Sequence, residues 1–352
     1  MTLVNILGCQ GQSESHSPDD KNIQYTGRID FANPQKPRLI GAGAYFELKF
    51  IGKSCSVTLE DQGLQYNYIA AVIDGNYKRI KVTKDKSQYE IATDLKKGEH
   101  TLLICKATEA LIGYVAFAGI QCGEIIPLGK TYARKIEFIG NSITSGTAMD
   151  LSEVPCGKGV WHDQHNAYLA YGPLTARALN ANWLLSSVSG MGISRNWNNE
   201  GPTIPQVYDH LYLDVNSKIE WNAQTYVPDV VSICLGTNDF SDGDGSYDRK
   251  KLDSAKFVNA YTGFVRHIRE RYPNAPICLL NSPAISRENN EKLSQYLSAV
   301  IEQMYKLYQD NNFYKFEFPH NYSGGCDGHP NMEEHQKMSD ELVVFFKKVM
   351  NW

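Results

Sequence analysis

Residues 136–146 read IEFIGNSITSG, a run of apolar side chains that stops abruptly on Gly140, Asn141 and Ser142. A short continuous apolar run followed by a glycine turn is the pattern of a strand buried on both faces, as in a parallel sheet covered by helices. The turn has two readings. Gly140 and Asn141 can serve the backbone alone, or Ser142 can be a nucleophile held at the end of the strand.

Outward from this stretch the same pattern repeats. Apolar runs at 135–139, 183–188, 230–235, 277–281 and 313–316 alternate with helix-length segments at 167–179, 251–272, 291–309 and 331–350. In the third helical segment Leu293, Leu297, Val300, Ile301, Met304 and Leu307 form one apolar stripe at three- and four-residue steps. The last segment opens on Asn331 with Glu334 three residues later, the spacing of a capping box. This half of the chain is predicted to be a five-stranded parallel α/β/α sandwich.

The N-terminal half has a different period. In Tyr45-Phe46-Glu47-Leu48-Lys49-Phe50 the apolar Phe46, Leu48 and Phe50 share one face, with Glu47 and Lys49 on the other. Similar runs at 55–60, 66–73, 77–82, 100–105 and 113–120 are separated by turn signals such as Asp74-Gly75-Asn76. Short strands without helical periods predict a β-sandwich. The composition shifts at 127–131, giving domains of 23–128 and 129–352. A chain of 352 residues exceeds the ~300 that one core serves, in keeping with two cores.

The first 22 residues are set apart as a signal remnant or tether. Ile6-Leu7-Gly8-Cys9 is similar to a bacterial lipoprotein cleavage box and precedes a polar tract. Read so, Cys9 is a lipid-anchor residue and the protein is exported, secreted or held at the bacterial surface or periplasm. A chance match is the other reading.

Composition narrows the partners. An apolar fraction of 42% with no run near the ~20 residues of a membrane span excludes an integral helical membrane protein. A net charge of −4 without a basic stripe argues against a nucleic-acid binder. The eight cysteines include no C-x-x-C pair and no metal-ligand spacing, so no metal is expected. Cys234 and Cys278 read as small buried hydrophobes. Cys156 and Cys326 lie in loop-like sequence, and a disulfide between them is left open.

In an open parallel sheet, function gathers at the carboxyl ends of the strands. There the sequence puts Gly140-Asn141-Ser142, then Ser189-Gly190-Met191-Gly192, then Gly236-Thr237-Asn238-Asp239. The segment GGCDGHPN before the last helix adds His329. A serine hydroxyl becomes nucleophilic only when a base takes its proton, and histidine suits that task near neutrality. Acyl transfer also needs donors for an oxyanion, which the Ser142 and Gly190 N–H groups and the Asn238 side chain can supply. Glycines 190 and 236 are equally what tight turns require. Asp239 reads as a brace for its loop. His162, Asp163 and His165 read as surface or helix-capping residues, and His335 as solvated. Trp161 and Trp197, in loops near the crevice, either stack on a sugar ring or pack.

Taken in order, G-N-S, Gly, G-T-N-D and D-x-H-P resemble the blocks of the SGNH/GDSL esterases. The segments YTGRID, KATEALIGYVAFAG and HDQHNAYLAYGPLTARALNANW extend the resemblance over nearly the whole chain after residue 23, to the two-domain family-two carbohydrate esterases. That resemblance implies a jelly-roll-like sandwich before an SGNH domain that removes acetyl groups from xylan or glucomannan, without a cofactor. It implies Ser142 as nucleophile, His329 as base, and Ser142, Gly190 and Asn238 as the oxyanion hole. Two positions depart from the pattern. Many relatives have Asp where Asn141 stands, and the acid expected three residues before the histidine is replaced by Cys326. Asp327, two residues before, is the expected orienter of His329, with Gly328 letting the chain fold back; a backbone carbonyl, as in dyad members, is the other acceptor. The rival readings are a short-chain lipid or thioester hydrolase on the same scaffold, and a non-catalytic sugar-binding protein.

Overall fold

The computed structural model describes residues 13–129 and 132–352. Its N-terminal part packs two six-stranded sheets face to face. One orders Ile29–Asp30, Arg38–Leu39, Gly113–Cys122, Cys55–Gly63 and Gln88–Ala92, with Glu14–His16 also on Gly113–Cys122; the other orders Glu124–Ile126, Tyr45–Gly52, Gly98–Lys106, Asn67–Ile73 and Asn76–Val82, with Gln24–Thr26 also on Tyr45–Gly52. All neighbours are antiparallel. Phe46, Leu48 and Phe50 meet Val57, Leu59 and Phe117 in the core between the sheets, as their alternation predicts.

Two expectations about this part need correction. The segment assigned to a tether contributes a strand, Glu14–His16, paired antiparallel with Gly113–Cys122. A ladder is made by backbone groups, so a polar segment can complete a sheet edge without showing an apolar period. Cys9 lies outside the described residues. The second correction concerns the outer face of the second sheet. Tyr45 and Glu47 are buried, and every position of Asn67–Ile73 is buried. The sheet is covered on both faces, because the α/β domain sits against it: Tyr45 stacks on Trp183 with centroids 4.2 Å apart and bonds Asn182 at 2.6 Å.

The C-terminal part is a five-stranded parallel sheet ordered Ala181–Ser187, Arg134–Gly140, Val230–Cys234, Ile277–Leu280, Phe313–Phe316. The strand order reverses around Arg134–Gly140, which opens a crevice at its carboxyl end. The covering helices include Tyr171–Ala178, Ser254–Arg271, Arg287–Tyr308 and Met332–Met350. Asp253 and Ser286 cap the second and third through side-chain oxygens, and the Asn331–Glu334 box is formed in both directions. On Arg287–Tyr308 the buried stripe is Leu293, Leu297, Val300 and Met304; Leu307, in the last turn, is exposed.

The seam between domains is apolar and hydrogen-bonded. Ala42, Tyr45, Ala70, Val72 and Cys105 share one core cluster with Ile136, Phe138 and Trp183. Arg28 is fully buried there and donates to the carbonyls of His210 and Tyr208, both at 2.9 Å, and to Ser186 Oγ at 3.0 Å. A buried guanidinium is tolerated only when its donors are taken up in this way. Among the described residues no helix is long and apolar enough to cross a membrane.

Candidate active site

The turn after Arg134–Gly140 serves the backbone and also holds the Ser142 hydroxyl at the end of the strand. Gly140 is required sterically, since a Cβ there would lie 2.0 Å from Thr144 Oγ1. Asn141 caps the short helix Ser142–Ser145, its side chain accepting from the Ile143 N–H at 3.1 Å. Gly146 ends that helix at φ 72°. Ser142, held between these two backbone devices, has its Oγ 2.8 Å from His329 Nε2.

His329 stands in a loop bound from several sides. The Cys326 N–H donates to Ala148 O at 2.9 Å, the Gly325 N–H to His329 O at 2.7 Å, and Cys326 is joined to Cys156 by a disulfide. Asp327 and Gly328 follow in left-handed conformations, φ 52° and 73°. His329 Nδ1 lies 3.2 Å from the Cys326 carbonyl. A carbonyl can only accept, so Nδ1 carries the proton and Nε2 is free to accept from Ser142.

This corrects the expectation for Asp327. Its residue is exposed, and the partner of Nδ1 is the carbonyl of Cys326, one residue before it. The tight left-handed turn brings the backbone, and not the carboxylate, under the ring. The Asp327 carboxylate makes no hydrogen bond to His329; the residue acts on the ring through its charge and its backbone. Burial pushes the imidazole below the ordinary histidine range, while the Cys326 carbonyl and the Asp327 charge pull in the opposite direction.

The neighbouring strand ends bring Gly190 and Asn238 to the same crevice. Gly190 adopts φ +75°, with open space where a Cβ would stand, and its carbonyl accepts from the Trp197 N–H at 2.8 Å. Asn238, in the helix Thr237–Phe240, donates one side-chain N–H to Met191 O at 2.8 Å and retains a second. The Asp239 carboxylate accepts from the N–H groups of Ile193, Ser194 and Arg195 at 2.8–3.1 Å, and so braces the loop. Gly236 is a packing glycine, since its Cβ would come within 2.8 Å of Leu293.

Around this centre Trp161 and Trp197 leave 46% and 43% of their surface exposed. Trp161 meets His165 edge-on at 4.3 Å. His162, Asp163 and His165 are buried, contrary to the surface reading, while the capping reading holds for Asp163, whose carboxylate accepts from the Val160 N–H at 2.8 Å at the start of the turn Trp161–Gln164. The side chains that cover them come from the sandwich: Tyr66 and Tyr68 donate to Asp163 at 2.8 Å, and Arg79 donates to the carbonyls of Asp163 and His165. His335 is also buried, accepting from the Tyr171 N–H through Nδ1 at 3.1 Å, and burial pushes its pKa down to about 3. Each of these residues lies under a partner more than 60 positions away, which no local pattern reveals. Glu109, whose carboxylate takes the Ser189 N–H at 2.7 Å, was also not singled out from sequence; the only local signal is a charged pair, Lys106 and Glu109, in a run that is otherwise small or apolar.

Comparison with known proteins gives a consistent picture. The family described as carbohydrate esterase 2 N-terminal matches residues 25–128, and the GDSL-like lipase/acylhydrolase family matches residues 138–337. The cellulase/esterase CelE of Acetivibrio thermocellus is 33% identical over 96% of this chain, which spans 41% of that longer protein. An acetylxylan esterase / glucomannan deacetylase of Cellvibrio japonicus is 26% identical over 99% of this chain and 94% of its own length. Among solved structures, a family two carbohydrate esterase from Clostridium thermocellum in complex with cellohexaose superposes with a TM-score of 0.84 at 32% identity, covering 94% of this chain and 99% of that one.

Proposed function

This chain belongs to the family-two carbohydrate esterases, and we propose that it is a serine esterase that removes O-acetyl groups from plant cell-wall polysaccharides or their oligosaccharides, through an acetyl-enzyme. The observation that carries the reading is the 2.8 Å contact between Ser142 Oγ and His329 Nε2 at the crevice of the parallel sheet. In the proposed reaction Ser142 Oγ attacks the acetyl carbonyl as its proton passes to His329 Nε2. The oxyanion is met by the N–H groups of Ser142 and Gly190 and by the free side-chain N–H of Asn238. Collapse breaks the bond to the sugar oxygen, which takes the proton from His329. Water then attacks the acetyl group, giving its proton to His329, and acetate leaves as Ser142 recovers its hydrogen. The exposed Trp161 and Trp197 are proposed to border the sugar.

The relatives named for acetylxylan and glucomannan support the substrate class. We also propose that the protein works outside the reducing cytoplasm; the Cys156–Cys326 disulfide supports this. The test is acetate release from acetylated xylan and acetylated glucomannan, alongside p-nitrophenyl esters of increasing chain length. Release from either polymer with turnover falling steeply beyond propionyl is the expected result. Preferential turnover of octanoyl esters would favour a lipid hydrolase instead, and no turnover of any ester would leave only sugar binding.

A further inference from the structure

The loop that carries Gly190 is held from outside its own domain. Glu109, on the sandwich between the strand Gly98–Lys106 and the turn Ala110–Ile112, is fully buried and accepts from the Ser189 N–H at 2.7 Å through Oε2. Lys106 shapes the same segment, its ammonium donating to the carbonyls of Thr108 at 2.9 Å and Glu109 at 2.8 Å. On the far side of Gly190 the loop is pinned again: the Trp197 N–H donates to Gly190 O and Asn238 to Met191 O, both at 2.8 Å. Ser189 Oγ is also tied to Thr147 Oγ1 at 3.0 Å. Among the described residues no protein acceptor takes the Gly190 N–H itself, so a donor free for an oxyanion stands between two fixed peptides.

We propose that Glu109 is a positioning residue for the oxyanion loop, so that the β-sandwich completes the esterase site; this rests on the oxyanion role given above to Gly190. A peptide plane is rigid, so fixing the Ser189 N–H limits where the next N–H can point to the rotation about one residue. Donors aimed in advance at a developing charge lose less to reorganisation, and one such donor is worth ~100-fold in rate or more. A lone carboxylate next to the loop would oppose the oxyanion, and Lys106 removes that objection. Burial disfavours the charged form of each, pushing Lys106 down to about 7 and Glu109 up, so whether both are charged or both neutral the two together carry little net charge.

The experiment compares wild type, Glu109→Gln and the double variant Lys106→Met/Glu109→Leu on p-nitrophenyl acetate, with Ser142→Ala as control. The double variant removes the acceptor together with the neighbouring buried cation, so Lys106 is not left without Glu109. Its kcat is expected to fall about 100-fold with KM within about twofold, the mark of a group that matters in the transition state. Glu109→Gln keeps a weaker acceptor for the Ser189 N–H and is expected to recover about twentyfold of that loss, leaving kcat about fivefold below wild type. A folded double variant with kcat within about threefold of wild type overturns the proposal, as does a loss that Gln does not rescue. Should the double variant lose its cooperative thermal transition, Glu109→Gln decides alone: a kcat about fivefold down at constant KM supports the proposal, and an unchanged kcat overturns it. If instead wild type is inactive or Ser142→Ala is fully active, the reading of the site itself has failed.

Discussion

Ser142 and His329 form one hydrogen-bonded pair, yet they are held in place by opposite means. Ser142 is set by its immediate neighbours: Gly140 clears Thr144, Asn141 caps the helix, Gly146 closes it, and all lie within a few residues. His329 is set from a distance. Its loop is fixed by a bond from Cys326 N to Ala148 O and by a disulfide to Cys156, 170 residues away. The position of Ser142 is therefore a property of a turn, and that of His329 a property of the folded molecule. Perturbations of chain connectivity should act on the histidine side first.

The largest effect belongs to the local side of this contrast. Ser142→Ala is expected to lower kcat at least about a thousandfold while the thermal transition stays where it is, since the buried side chain loses only the hydroxyl that meets His329. Retention of more than a thousandth of the rate would take Ser142 out of its role. Next comes the distant side. Cys156→Ala/Cys326→Ala is expected to cost about 2–4 kcal/mol of stability through release of a long loop, and to lower kcat about tenfold because the carbonyl under His329 loses its anchor. Urea melts and steady-state rates read the two separately. An unchanged kcat would mean that the histidine loop holds itself, and the contrast drawn above would fall.

The same contrast explains what was legible in the sequence. The strand 136–140, the Asn331 box and the Phe46, Leu48, Phe50 face are short-range patterns, and the structure keeps them. Ser142 and His329 were identifiable because the glycine turns beside them are local. The misreadings share one physical cause, which is a partner from elsewhere in the chain. Glu47 and His335 are buried by elements that no window of sequence includes. Glu14–His16 is a strand because an edge was open for it. Proximity in sequence points to Asp327 as orienter, but the backbone torsions at 327 and 328 decide which acceptor reaches the ring.

A third expectation concerns pH. His329 must be neutral to accept the Ser142 proton, and burial holds its pKa below the ordinary value of ~6.5. The acid limb of kcat/KM should therefore lie below the ordinary histidine value, with activity retained where a free imidazole would already be protonated. A limb at or above pH 7 would mean that a stabilising carboxylate, absent from the hydrogen bonds of the ring, controls the titration.

The smallest effect is expected at Asp327, and it tests the contrast most finely. Were its carboxylate the acceptor for Nδ1, replacing it by Asn would favour the wrong tautomer and cost several orders of magnitude in rate. With the Cys326 carbonyl as acceptor, the tautomer survives the substitution, because a backbone group is still under the ring. What disappears is one negative charge near an imidazolium formed in the transition state. Loss of that charge makes protonation of His329 harder, so the acid limb of Asp327→Asn should move to lower pH, by less than one unit for a solvent-exposed group. The same loss weakens the stabilisation of the protonated ring during turnover, and kcat should fall by less than about tenfold, or ~1.4 kcal/mol of barrier. The two changes have one cause, so a limb that moves up, or a rate that drops a thousandfold, would return Asp327 to the role its position in the sequence suggests.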